Sequence, residues 1–152
     1  MTDLELSSPA FDDGEPIPEK YGREAANVSP PLTVSGVPDG AETLAIVVDD
    51  PDAREPAGKV WEHWLVWNVP TDVSIPEGWD PTADGAVEGT NDFGEVGYGG
   101  PAPPDREHTY RFRLFALDAT LDLPATADAA DLEDAMAGHV LDEGVSRGTY
   151  AP

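Results

Sequence analysis

Cysteine is absent from the 152 residues, and only eight basic side chains stand against 31 acidic ones. Without Cys there is no thiol nucleophile, no disulfide, no zinc knuckle and no Cys-ligated iron–sulfur cluster. The longest apolar run, Leu44 to Val48, is far shorter than the ~20 residues a membrane-spanning helix needs. The opening Met1 to Leu6 lacks the basic and apolar regions of a secretory signal, so the expected location is cytoplasmic. Basic charge is too sparse for a nucleic-acid or anionic-membrane surface: the net charge is -23 and the only lysines are Lys20 and Lys59.

Leu, Ile, Val and Phe together supply 31 residues, which with this charge lies at the compositional edge of disorder. The acidity is spread along the chain. Concentrated salt, with a Debye length of about 3 Å at 1 M, would screen its self-repulsion. The expectation is a salt-adapted, halophile-type protein forming one domain over residues 1–152, large enough to bury a real core.

Pro and Gly number 16 and 15 and fall between short apolar runs, a pattern of β structure. Strands are predicted at Leu32 to Val37, Thr43 to Asp49, Val60 to Val69 and His108 to Asp118, with a last short one at Val145 to Tyr150. Thr43 to Asp49 is nearly all apolar and β-branched, as suits a central strand covered on both faces. About forty Gly-, Pro- and acid-rich residues separate Val69 from His108, a length that implies function or hidden short elements. One main helix is predicted over residues 129–141, with Asp128 as N-cap, Asp131 in its first turn, and Leu132, Met136 and Val140 as its apolar face. Gly144 is then the residue that follows its end.

Strand alternation places His108 and Tyr110 with Phe112 and Leu114 on the core face. The same alternation puts His63 with Trp61, Leu65 and Trp67, and Asp50 with Leu44, Ile46 and Val48. Polar groups where hydrophobic faces end must meet each other, water or a ligand. Taken singly, each has an ordinary reading: Asp50-Pro51-Asp52 as a strand end and turn, His63 as a satisfied core histidine, His108 and Tyr110 as a strand edge. A shared pocket is the alternative, and it is favoured by Gly97-Tyr98-Gly99-Gly100-Pro101, whose glycines let a backbone pass close to a ligand. Asn27-Val28-Ser29 matches a glycosylation acceptor but is read as structural.

Several segments, in this order, resemble the phosphatidylethanolamine-binding protein family, in its small bacterial and archaeal Raf kinase inhibitor-like branch. They are Ile17 to Tyr21, Asn27-Val-Ser-Pro-Pro-Leu32, Asp50-Pro-Asp-Ala53, His63-Trp64, Gly97 to Pro104, His108-Thr-Tyr110, Phe115 to Asp118, Gly138 to Leu141 and Gly148-Thr-Tyr150. The resemblance implies an all-β-dominated fold, an antiparallel β-sandwich in Greek-key order with one or two peripheral helices. It also implies a ligand pocket built from Asp50, His63, Gly100, Pro101, His108 and Tyr110, with Asp52 in support. The implied ligand is a small phosphate-like anion or phospholipid headgroup, held without a cofactor or metal and without assigned catalysis. Regulation or inhibition of a protein partner and a homodimer are left open; nucleic acid and stable membrane insertion are not expected. This chain departs from the family in reading Arg54-Glu55-Pro56 after the Asp-Pro-Asp-Ala motif, at the expected pocket rim. Two rivals stand beside this reading. His63, His108 and Asp50 have the composition of a two-His, one-carboxylate iron site of an enzyme, and the domain could instead be a protein-interaction module.

Overall fold

Two antiparallel sheets organise the protein, whose computed structural model describes residues 3–152. The smaller sheet pairs β1 (Glu5–Ser7) with β2 (Thr33–Ser35). The larger has five strands: β3 (Thr43–Asp50), β4 (Trp61–Val69), β5 (Val87–Glu88), β6 (His108–Leu117) and β7 (Val140–Tyr150). Their spatial order is β5-β4-β3-β6-β7. The central place falls to β3, every residue of which is buried, as its unbroken run of branched apolar side chains requires.

Alternation sends the two sets of side chains to opposite faces. Leu44, Ile46, Val48, Phe112 and Leu114 pack beneath the small sheet with Leu4, Leu6 and Tyr21. Ala45, Val47, Leu65, Trp67, Phe115 and Leu117 pack on the other face with Leu132 and Met136 of a covering helix. That helix, α2 (Ala129–Met136), begins with a reciprocal capping box in which Asp128 and Asp131 each accept the other's backbone N–H.

The helix is shorter than the sequence predicts. Ala137 leaves helical geometry and Gly138 has φ of 81°, so the chain turns back there and not at Gly144. Val140 is therefore no part of the apolar face of α2; it opens β7 and is exposed. The predicted closing strand from Val145 is correspondingly an eleven-residue strand from Val140. The long connection between β4 and β6 does contain short elements, a 3-10 turn at Pro81–Asp84 and β5.

Candidate functional site

The ends of β3, β4 and β6 converge on one side of the large sheet, and a regular sheet would not have aimed them together. Val48 stands opposite Trp64 but Asp49 stands opposite Glu62, which leaves His63 without a partner across the strand. This one-residue bulge interrupts the alternation of β4. His63 consequently faces Tyr110, 5.2 Å away ring to ring, and not the face of Leu65 and Trp67 with which simple parity groups it. Re-aiming a side chain beside a site is what bulges characteristically do.

The convergence encloses a pocket of about 180 Å³, lined by Asp50, His63, His108 and Tyr110 together with Trp61 and Phe93 and an aliphatic rim. At ~30 Å³ per water, that is room for about six water molecules, smaller than a typical drug-sized site. The departure from the family pattern forms part of its wall. Pro51–Ala53 make a 3-10 turn and Arg54–Ala57 one helical turn, α1, which brings Pro56 and Ala57 to the rim.

His108 has no exposed side-chain surface, and both ring nitrogens face carboxylate oxygens, Nδ1 at 2.6 Å from Asp50 Oδ2 and Nε2 at 2.7 Å from Asp105 Oδ1. A carboxylate at each nitrogen favours the doubly protonated ring. Burial opposes that charge, but the bonds to Asp50 and Asp105 outweigh it and raise the His108 pKa above the ordinary histidine value. His63 goes the other way. Burial lowers its pKa, and its Nδ1–H donates to the Gly99 carbonyl at 2.7 Å, so Nε2 is left to the pocket as an acceptor in the neutral ring. The Tyr110 hydroxyl and the Trp61 indole N–H, both on pocket-lining residues, are buried and have no hydrogen-bond partner. Burial, reinforced by the negative charge of Asp50, holds the Tyr110 hydroxyl in its protonated, donating form.

Of the residues expected in the site, Asp50, His63, His108 and Tyr110 are brought together, whereas Asp52, Gly100 and Pro101 do not line this pocket. Asp52 instead accepts the Thr109 N–H at 2.9 Å and ties the turn after β3 to β6. The Gly100 N–H is spent on the Asn27 side chain at 2.7 Å, and its missing Cβ makes room for the backbone of Tyr21 to Arg23. Asn27, with φ of 52°, is thus structural, as read from the sequence. Pro101 lines a larger open groove next door, bounded by Ile17, Glu24, Glu107 and Tyr150. Sequence reasoning did not single out Trp61, Phe93 or Asp105. The signal available for Trp61 was its place two residues before His63; none marks Asp105 except its neighbourhood to the Pro-Pro loop.

The set His63, His108 and Asp50 does not present three free donors to one point. His63 Nδ1 faces Gly99, both His108 nitrogens face carboxylates, and no group of three or more His, Asp or Glu among the described residues is arranged to hold a metal ion.

Known proteins share both the sequence and the fold. Residues 7–151 match the family described as phosphatidylethanolamine-binding protein. A UPF0098 protein of Methanothermobacter thermautotrophicus is 46% identical over 151 residues, covering 97% of this chain and 98% of the relative. One from Pyrococcus horikoshii is 42% identical, over 97% of this chain and 76% of its own length. Among solved structures, a phosphatidylethanolamine-binding protein homologue from Chlamydia trachomatis superposes with a TM-score of 0.91 at 38% identity, covering 99% and 98% of the two chains. Escherichia coli YbcL, described as a member of the mammalian family, gives 0.88 at 31% identity over 97% and 98%. With the match running almost end to end, the chain belongs to the phosphatidylethanolamine-binding protein family.

Proposed function

We propose that the protein is a binding protein whose pocket takes a small phosphate-like anion, free or as the phosphorylated end of a larger molecule, and does not transform it. One observation carries this reading: two residues that line one small pocket, Tyr110 and Trp61, each carry a buried hydrogen-bond donor with no close partner. A buried donor left unmade costs about 1–3 kcal/mol, and a ligand oxygen accepting from each would recover it. An anion is the fitting acceptor because bonds to charged oxygens are about twice as strong as neutral ones. The His63 ring adds a group that can turn from acceptor to donor on taking up a proton. Binding rather than catalysis is supported by the lack, among the described residues, of a Ser, Thr or Cys nucleophile at the pocket. The only hydroxyl at the pocket among the described residues is the Tyr110 phenol, whose proton burial retains.

Isothermal titration of inorganic phosphate into the protein in molar KCl tests the reading, followed by competition with phosphorylethanolamine. Saturable one-to-one binding that phosphorylethanolamine displaces is expected. Heats no different from dilution, for both compounds, would refute it.

A further inference from the structure

The two carboxylates that grip His108 are not equivalent. Asp50 is buried, and its second oxygen accepts the Asp52 N–H at 2.9 Å, so it is fixed at the end of β3. Asp105 is 38% exposed and belongs to the loop before β6, between the Pro101–Pro104 segment and the strand. Both nitrogens of a wholly buried, pocket-lining imidazolium are therefore taken, one by a permanent partner and one by a side chain that can leave. Two carboxylates against one imidazolium also give the site an excess negative charge, which opposes any incoming anion while Asp105 stays in place.

We propose that Asp105 is a built-in competitor for the ligand: its carboxylate occupies the His108 Nε2 position that an arriving phosphate monoester must take, and so weakens anion binding until the loop releases it. This rests on the anion-binding reading above. Exchanging one carboxylate for another at Nε2 gains no interaction, and the tethered one has the advantage of a high effective concentration. A phosphate monoester dianion brings more charge and three terminal oxygens. One of its oxygens can accept from His108 Nε2–H while two others remain for further donors. The imidazolium stays paired throughout the exchange, so no buried charge is bared.

The neighbouring loop residue sets the resistance to opening. Arg106 Nη2 lies 3.4 Å from Glu55 and 3.9 Å from Asp52, reaching from the Asp105 loop to the α1 side of the pocket mouth. Both are solvent-exposed or half-exposed pairs of the kind that salt screens and that hold weakly. The loop can therefore release Asp105 without disturbing the sheet that carries His108 and Tyr110.

Calorimetric titration of methyl phosphate and of acetate into the native protein and Asp105→Asn, in the same molar KCl at neutral pH, tests the inference. Asp105→Ala is the second variant, since it removes the amide oxygen that could itself accept from Nε2–H. Both variants are expected to bind methyl phosphate about tenfold more tightly. Acetate binding should tighten as well, because a tethered competitor weakens every ligand of the same donor. Equal methyl phosphate affinity in native and variant chains overturns the competitor and leaves the anion site standing. Methyl phosphate binding to none of the three chains overturns the anion site and the competitor together.

Discussion

Replacing Glu62 by Gln should stabilise the protein at alkaline pH and leave it unchanged in acid. Glu62 faces away from the pocket, opposite Asp49 across the β3–β4 pair, and one of its carboxyl oxygens is buried without a partner. Burial first, then the charges of Asp49 and Asp92, raise its pKa from 4.5 to about 7, with Arg113 only partly offsetting them. A raised carboxyl pKa means that the folded state prefers the proton. Between the unfolded and folded values unfolding releases that proton, so stability falls as pH climbs through this window and is level again above it. A shift from 4.5 to about 7 corresponds to at most ~3.4 kcal/mol, at 1.36 kcal/mol per unit; because the side chain is only partly buried, ~1–3 kcal/mol is the working estimate. Glutamine keeps the shape, never ionises, and can offer an N–H to the nearby Asp49. Urea unfolding of both chains at fixed molar KCl, at several values between about pH 4.5 and about pH 8, isolates the effect because every other carboxylate cancels in the difference. The Glu62→Gln advantage should grow with pH and flatten above about 7. An advantage independent of pH would show that Glu62 ionises normally in the fold.

Salt should raise the unfolding midpoint, since the net charge of -23 is screened by it; a thermal midpoint equal in dilute buffer and molar KCl would remove the salt-adapted reading. Affinity for sulfate, whose charge is constant in this range, should increase as pH falls from about 8 to about 6, because burial keeps His63 neutral and an anion against its Nε2 would raise that lowered pKa and draw in a proton. Calorimetry in two buffers of different ionisation enthalpy reads the uptake directly, and equal heats in both would mean that His63 stays neutral on binding.

How much of this was legible in the sequence differs by element for physical reasons. The alternation from His108 to Leu114 survives intact because β6 is regular there, and its burial follows the pattern residue by residue. The apolar run Leu44 to Val48 specifies a central strand whatever its neighbours are. In β4 the same parity argument groups His63 correctly with Trp61 but wrongly with Leu65 and Trp67, since a bulge is set by cross-strand register and no residue of Trp61 to Val69 announces it. The end of α2 was misplaced because Val140 continues the four-residue spacing of Leu132 and Met136, while the turn at Gly138 decides the outcome. In the site, Asp50, His63, His108 and Tyr110 were recognisable as polar groups at the ends of apolar faces. Gly100 was recognisable as a close-approach glycine, but what approaches it is the protein's own backbone. Asp105 reaches His108 from three residues upstream through a loop conformation that no periodicity encodes.

Tyr110→Phe offers the most direct measurement of the central claim, that buried donors on the pocket wall are there to hold an anion's oxygens. The ring stays packed between His63 and His108, at 5.2 and 6.3 Å, and only the hydroxyl is lost. Its hydroxyl makes no close hydrogen bond in the protein, with the Asp50 carboxylate merely nearby, so the change should leave the unfolding midpoint almost unchanged. Titration with inorganic phosphate in molar KCl should then show an affinity lower by roughly tenfold or more, for a bond to a charged oxygen worth ~1.5–3 kcal/mol. A Tyr110→Phe protein that binds phosphate as tightly as the native chain would contradict the account.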